Sequence, residues 1–426
     1  MPWAKCFVGL LALLGHCALW VGVFNRAHAI GWPRPLLNLL QRIALAVMLA
    51  GLASVVAWIG LSGQFFFDPL GFLGQHVAMD VYFWLCFGNG AVVLGLWLGR
   101  TTSGKPACWI GTEGAICRVD QHLGKRPCGK GLSRLLAGLP GNQVLELEVN
   151  RKEIALARLP CELDGLGIVH LSDLHFTGAL SREFFEFAVE QANALEPDFV
   201  AITGDIIDKK QCLPWVDEVL RGLQSRYGVF CVLGNHDLRV DLADLVQRIE
   251  RAGLVYLGGR WVEVRVRGWP VVLAGNERPW LDAPNMARRR EAPSCGRAVR
   301  VLLAHSPDQL GWARVRDFDL MLCGHMHGGQ IRLPVAGAIV GPSRFGVKYS
   351  GGVYYERPTV LHVSRGLSGT QLVRIHCRPE LTRLVLRPVT VEAPGDDARA
   401  AQAMERAKAM GLPATARLCP ADEQTA

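Results

Sequence analysis

Five apolar, strand-like runs in this chain each stop at a short cluster of carboxylate, imidazole or amide side chains, and that pattern limits the folds open to it. Residues 167–176 read GIVHLSDLHF, so a β-branched run ends at Asp173 and His175. Alternation along an extended backbone places these two side chains on one side. FVAIT then leads into Gly204-Asp205-Ile206-Ile207-Asp208, VFCVL into Gly234-Asn235-His236-Asp237, VRVLLA into His305, and DLMLC into Gly324-His325-Met326-His327-Gly328-Gly329-Gln330. One Asp-x-His pair carries little weight in a chain of 426 residues with 12 histidines. Five such strand ends in succession predict a sheet edge that gathers metal-ligand chemistry.

The segments between the first of these strands have helical spacing. Residues 182–195 place Phe184, Phe185, Ala188, Val189 and Ala192 on one face, 214–223 follows, and 242–252 is closed by Gly253. Ahead of them, VLELEV and EIALARL alternate as strands and predict a hairpin across Asn150-Arg151. After Leu254 the strands crowd together as VEVRV, WPVVLAG, VRVLLA and DLMLC, then VLHV, LVRIH and RLVLR. An alternating first half and a sheet-rich second half predict an α/β (α+β) fold of two packed β-sheets flanked by helices.

The amino-terminal quarter is of another kind. Cys6–Phe24, Ile43–Leu61 and Val81–Gly99 are each 19 residues without Asp, Glu, Lys or Arg, in a chain whose mean hydropathy is +0.20. A bilayer-spanning helix needs roughly 20 apolar residues. The first stretch also has features of a cleavable signal peptide, Lys5 before it and Ala27-His28-Ala29 after it, but it is longer than a signal core. Three retained spans are expected. Arg26, Arg34 and Arg42 make the first loop basic, whereas the second offers Asp68 and Asp80, so the basic loop and everything after Gly99 are expected on the cytoplasmic side of the inner membrane.

The organisation expected is a membrane region at 1–100, a basic connector at 101–142, a catalytic domain at 143–388 and a flexible carboxy-terminal tail at 389–426. Lys125, Arg126, Lys130 and Arg134 of the connector can touch anionic headgroups or simply be solvated. Arg288, Arg289 and Arg290, near Trp280, form a basic and aromatic insertion that can dip toward anionic headgroups, grip a diphosphate or simply be solvated. The net charge of +8 is dispersed, and with no recognised nucleic-acid motif in the domain no nucleic-acid partner is expected. Thirteen scattered cysteines without C-x-x-C pairs favour a reducing compartment.

In their order, Asp-x-His, Gly-Asp-x-x-Asp, Gly-Asn-His-Asp, a lone His after a strand and Gly-His-x-His resemble the calcineurin-like metallophosphoesterase superfamily over residues 144–388. The S-D-L-H and G-H-x-H-G-G-Q forms resemble its membrane-associated bacterial branch, which includes the chlamydial UDP-2,3-diacylglucosamine pyrophosphatase of lipid A synthesis. Met326 stands where that branch commonly has Thr, between expected ligands. The resemblance implies that Asp173, His175 and His327 bind one divalent metal, that Asn235, His305 and His325 bind a second, and that Asp205 bridges them. Imidazole, carboxylate and amide ligands without thiolate suit Mn first, with Fe, Zn or Co also accommodated. Metal-bridging hydroxide would then attack phosphorus, with His236 stabilising the transition state or protonating the leaving oxygen and Asp208 and Asp237 orienting histidines or closing turns.

The function expected is therefore membrane-anchored hydrolysis of a phosphodiester or pyrophosphate, with membrane lipids and a phosphorylated, lipid-linked substrate as partners. Gln330 and Arg344 are candidate substrate contacts or loop-packing residues, while His170, His362 and His376 are read as core or edge histidines. Two alternatives stand beside this reading: a broad phosphodiesterase or phosphatase on soluble substrates, and a non-catalytic membrane scaffold that binds metal or a phosphorylated partner.

Overall fold

In a computed structural model, residues 2–62 (except 28, 31 and 33), 73–286 (except 75 and 103), 298–389, 405 and 408–410 are described. The expected arginines 288–290 and most of the tail lie outside them. The chain divides into two compact units, one of residues 1–104 with Pro342–Val347, the other of 105–341 and 348–426.

The first unit is built on α1 (Pro2–Ala27), α2 (Arg34–Ser62) and α3 (Val77–Thr102). All three are long and apolar enough to cross a membrane. Apolar side chains give little drive for helices to associate in lipid, so close backbone approach and polar contacts do more. A Cβ at Gly15 of α1 would lie 1.7 Å from the Cys86 carbonyl of α3, and Asn89 donates to the Gly15 carbonyl at 2.7 Å.

The second unit begins earlier than the sequence indicates. Its strands are β1 (Trp109–Arg118), β2 (Glu146–Leu156), β3 (Gly167–Leu171), β4 (Phe199–Thr203), β5 (Val229–Val232), β6 (Val255–Tyr256), β7 (Trp261–Val266), β8 (Trp269–Asn276), β9 (Val299–Ala304), β10 (Leu320–Cys323), β11 (Arg332–Leu333), β12 (Gly337–Ala338), β13 (Gly352–Glu356), β14 (Thr359–Val363) and β15 (Glu380–Pro388). They form a seven-stranded sheet ordered β1-β2-β15-β3-β4-β5-β6, a six-stranded sheet ordered β13-β14-β10-β9-β8-β7, and a small β11-β12 pair. Within the sheets β3, β4 and β5 run parallel, as do β8, β9, β10 and β14.

Three local expectations are corrected. The stretch read as a connector contributes β1, antiparallel to β2, and two short helices, α4 (Val119–His122) and α5 (Leu132–Ala137). The hairpin expected at Asn150-Arg151 is absent, and β2 runs straight through. Asn150 is buried there, donating to Glu380 at 3.0 Å and accepting from Thr382 at 2.8 Å, which holds it in the sheet. LVRIH is not a strand either. Arg374 is turned inward, fully buried, and donates to the Arg365 and Ser368 carbonyls, so the backbone coils around it. Of the expected tail, Met410 is buried against the sheets and its carbonyl accepts from Tyr355.

The period of two decides which layer each residue joins. Val169 and Leu171 of β3 and Val200 and Ile202 of β4 face α6 (Arg182–Ala194), α7 (Leu213–Leu220) and α8 (Leu242–Arg251), together with Phe184 and Phe185. Ile168, Phe199 and Ala201 face the other sheet, meeting Leu273, Val301 and Leu322. A short helix, α9 (Leu310–Val315), follows β9.

Polar residues also lie between the sheets. Lys152 is buried, paired with Glu380 at 2.6 Å and 3.1 Å from His362 Nε2. Because an ammonium only donates, His362 Nε2 accepts and its Nδ1 carries the proton toward His170 Nδ1 at 2.8 Å. His170 then donates from Nε2 to Thr203 Oγ1 at 2.8 Å, which donates to Ser172 Oγ at 2.8 Å. Burial keeps both rings neutral, pushing His170 down to about 3.

Burial works against the Glu380 charge, but Lys152 and Arg365 outweigh it and hold the carboxyl well below its ordinary range. Its contribution to stability is thus present above the usual glutamate pKa and lost as pH falls. Glu380→Ala strands Lys152 in the core and is expected to cost about 3 kcal/mol, comparable to breaking other buried pairs. Thermal unfolding in detergent checks this, and an unchanged midpoint would show that the pair contributes nothing.

Candidate functional site

The five polar clusters meet beyond the carboxyl ends of β3, β4, β5, β9 and β10, the position where parallel strands present ligands. Asp173, His175, Asp205 and His327 each point a ligand atom into a space where these atoms lie within 4.8 Å of one another, and Asp205, His305 and His325 form a second such group. Asp205 belongs to both. Asn235 sits between Gly234 and His236, whose backbone N–H groups bond Asp237 at 2.8 Å and Asp205 at 2.8 Å. All seven expected ligands are therefore at one place.

Their backbone differs from the alternation expected. Asp173, His175, Asp205, His325 and His327 have φ of 51°, 49°, 52°, 69° and 47°, the left-handed region. Each costs roughly 1–2 kcal/mol in an L-residue, so the surroundings must hold them there. The Asp173 N–H bonds the Gly204 carbonyl, the His175 N–H bonds the Asp205 carbonyl, and Asp173 accepts from the His325 N–H at 3.1 Å. Glycine clears the space: a Cβ at Gly324 would lie 1.8 Å from Ser172 Oγ and 2.2 Å from Asp173 Oδ2.

Three of the four expected ligand imidazoles are aimed by their other nitrogen. His305 Nδ1 donates to the Thr203 carbonyl at 2.7 Å, His327 Nδ1 to the Ser368 carbonyl at 3.0 Å, and His175 Nδ1 to Asp208 at 2.6 Å. Nε2 of His175 then faces Nε2 of His327 at 3.2 Å, and Nε2 of His305 lies 3.2 Å from Asp205. Two imidazole nitrogens facing each other beside carboxylates make a donor set that suits a divalent cation, and the absence of any thiolate among them agrees with a borderline or hard metal.

Asp208 serves two rings at once. Besides His175 it accepts from His236 Nδ1 at 2.5 Å and from Arg239. His175, Asp208 and His236 also group closely enough to hold an ion, but Arg239 already supplies positive charge to that carboxylate. Asp237 takes the N–H groups of Ile206, Ile207 and Gly234. Burial and the nearby Asp205 charge push it up to about 7. Burial acts against a charge on His305, yet Asp205 outweighs it and the ring is pushed up to about 9.

Two residues here were not read as part of the site. Trp280 packs edge-on against His305 and His325, with centroids 5.6 and 5.1 Å away. Glu277 accepts from the Leu233 N–H at 2.5 Å and from Tyr256, fixing the backbone just before Gly234. Burial pushes Glu277 up to about 7. The signal was available: β8 is a sixth apolar run, ending in Asn276-Glu277. Gln330, read as a candidate substrate contact, donates to the Gln371 carbonyl at 2.7 Å, and Arg344 stacks over Phe345 within the other unit. His170 and His362 are core residues, whereas His376 is exposed on the loop after Arg374.

Comparison with known proteins agrees with this geometry. A family profile for calcineurin-like phosphoesterases matches residues 166–329. The metallophosphoesterase YkuE of Bacillus subtilis is 31% identical over 247 residues, covering 57% of this chain and 86% of that protein. The chain belongs to the calcineurin-like phosphoesterases. It is a metallophosphoesterase, and its relatives include the phosphodiesterase YaeI of Escherichia coli, 28% identical over 51% of this chain and 81% of that one. A Bos taurus transmembrane protein with a metallophosphoesterase domain is 26% identical over 412 residues, covering 89% of this chain and 88% of that protein, so the likeness extends past the catalytic unit. This chain's own three amino-terminal helices are likewise long and apolar enough to cross a membrane.

Asp208→Asn is expected to loosen both His175 and His236 and to weaken metal uptake by about 10–100-fold, the usual cost of losing a residue that orients a ligand. Equilibrium dialysis against Mn measures this, and unchanged uptake would remove Asp208 from the site. A cation placed between Asp205 and His305 must displace the His305 proton, so uptake by metal-free protein is expected to tighten by up to about tenfold per pH unit below pH 9. Uptake independent of pH between 7 and about 9 would contradict it.

Proposed function

We propose that this phosphoesterase uses two divalent cations to hydrolyse an amphipathic phosphodiester or pyrophosphate at the membrane. The observation that carries the reading is the convergence of two ligand groups on Asp205. Asp173, His175 and His327 would hold one cation and Asn235, His305 and His325 the other, with Asp205 shared. Mn suits this donor set first, and Fe, Zn or Co also fit it. Bound there, divalent cations supply Lewis acidity and lower the pKa of water from about 15.7 to about 7.

The chain's own groups supply the rest. The phosphorus–oxygen bond to the leaving group breaks as water's oxygen bonds phosphorus, and the leaving oxygen needs a proton. His236, partly exposed and held by Asp208 through Nδ1, gives it from Nε2. Trp280 shields the His305 and His325 rings from water.

Three apolar helices confine the enzyme to a surface, and a lipid-linked substrate is confined to the same surface. UDP-2,3-diacylglucosamine is the leading candidate, supported by the branch resemblance of the S-D-L-H and G-H-x-H-G-G-Q segments. The basic first loop supports a cytoplasmic catalytic unit, which suits a nucleotide-linked substrate. One observation favours a second reading: Cys161 is disulfide-bonded, which suits an oxidising compartment and a catalytic unit outside the cytoplasm. There the broader phosphodiesterase alternative has the stronger claim.

Mn-loaded protein in detergent, assayed on UDP-2,3-diacylglucosamine beside bis-p-nitrophenyl phosphate, is expected to release UMP from the lipid. His236→Ala is expected to lower kcat by about 10²–10⁴-fold, and Asp205→Ala to abolish turnover. Cleavage of the small diester alone would reject the lipid substrate, and no turnover of either by wild type would favour the scaffold reading.

A further inference from the structure

The catalytic unit has an apolar and basic surface that the hydrolytic reading does not use. On α5, Leu132 and Leu135 are 66% and 65% exposed, and Leu139 follows, also exposed. On the β11-β12 hairpin, Leu333 and Val335 are exposed, Val335 at 82%, and Val340 lies just beyond. Single exposed aliphatic residues are ordinary, whereas a group of them rimmed by polar side chains marks an interaction surface.

One segment joins these two elements. Asn142, after α5, donates to the Leu136 and Leu372 carbonyls, and the Gln143 N–H bonds the Arg374 carbonyl. The same loop pairs Ile375 with Ile331, and the Arg332 N–H bonds the Ile375 carbonyl. Leu139 and Ile375 line one cavity of about 450 Å³ together with Arg118, Arg126 and Arg378 and the acids Asp120 and Glu146. The helix and the hairpin thus flank a common loop, and the hairpin begins two residues after Gln330, next to the His327 cluster.

Basic side chains alternate in sequence with the exposed aliphatic ones on both elements. Residues 123–143 contain Lys125, Arg126, Lys130 and Arg134 and no Asp or Glu, though Lys125 pairs with Glu183 at 2.7 Å, and residues 328–340 contain Arg332 and no acid. The joining segment adds little to this charge: Arg374 is fully buried, Arg365 pairs with Glu148 and Glu380, and Arg378 pairs with Glu146. Nucleic acid would also meet such charge, but the exposed side chains here are aliphatic, and bases need aromatic or planar groups to stack on. Aliphatic side chains interleaved with Lys and Arg fit the boundary between acyl chains and anionic headgroups.

We infer that α5 and the β11-β12 hairpin form a second membrane contact, through which the catalytic unit lies on an anionic lipid surface. The three spans then tether the unit, while this face orients it. Val335 and Leu135 enter the headgroup boundary, and Lys130 and Arg134 meet phosphates. The inference does not depend on which phosphate ester is cleaved, so its failure would leave the hydrolysis assay unaffected.

The test uses the full chain in nanodiscs of phosphatidylcholine with or without phosphatidylglycerol. A photoreactive benzoylphenylalanine replaces Val335, Leu135 or, as control, Arg226, which is exposed beside the start of β5 at the opposite strand end. Mass spectrometry is expected to find phospholipid adducts at 335 and 135 and not at 226, with higher yield when phosphatidylglycerol is present. Lys130→Gln and Arg134→Gln, each added to the 335 probe, are expected to reduce the yield in anionic nanodiscs by about fivefold, the effect of one basic group near such a surface. Equal yields at all three positions, no lipid adduct at 335, or cross-links between two copies would each overturn the inference. Adducts that ignore phosphatidylglycerol and both charge variants would overturn its electrostatic part.

Discussion

Buried negative charge is the constraint on which this catalytic unit turns. Asp173, Asp205, Asp208 and Asp237 are all buried near one end of the two sheets, where each would repel the others at short range in a medium far less screening than water. The chain offsets this with what it has. Asp237 is surrounded by three backbone N–H groups, Asp208 by two imidazoles and a guanidinium, and Asp205 by a backbone N–H and the His305 ring. Burial alone would raise Asp205, but His305 and His236 hold it well below its usual range, while Asp173, with less compensation, is raised. A site organised in this way is predisposed to take up positive charge, and a family whose members are metallophosphoesterases gives that predisposition a use.

The strained backbone follows from the same need. Extended strands throw successive side chains to opposite faces, so a strand end that must deliver several side chains to one point has to leave the extended conformation at once. Asp173 and His175 do so by adopting positive φ directly after β3, and Asp205, His325 and His327 repeat the device. Such conformations are tolerated because the affected residues are fixed by bonds to neighbouring segments. The motifs are consequently mutually dependent, and none would keep its geometry in isolation.

This interdependence explains what could be read in the sequence and what could not. The five clusters, the helices following them and the two-sheet architecture were legible because strand and helix periods and the clusters themselves are local. The positive φ values were not, since they reflect contacts between distant segments such as His325 with Asp173. Trp280 and Glu277 were missed, although β8 ends in Asn276-Glu277, because neither belongs to the five clusters and their role, packing on His305 and His325 and accepting from the Leu233 N–H, is set by tertiary contacts. The run through Asn150-Arg151 looked like a turn by residue type, and only its partners on β15 show why it is not. For β1, WIGTEGAICR alternates too weakly to declare itself as an edge strand.

The polar row from Lys152 through His362, His170 and Thr203 to Ser172 has a consequence for the spacing of the site. Half of the site hangs from β3, β4 and β5 and half from β9 and β10, so the distance from Asp205 to His305 is only as fixed as the alignment of one sheet on the other. Aliphatic contacts between sheets are forgiving, since one methyl group replaces another when layers slide. A directional row of donors and acceptors is not. A shift of one residue would set both neutral rings against hydrocarbon with nothing to bond, and the lysine's charge forbids the row from reversing to suit. The row thus acts as a dowel between two boards, keyed in one orientation, and the gap into which a phosphate ester must fit inherits its width from that joint.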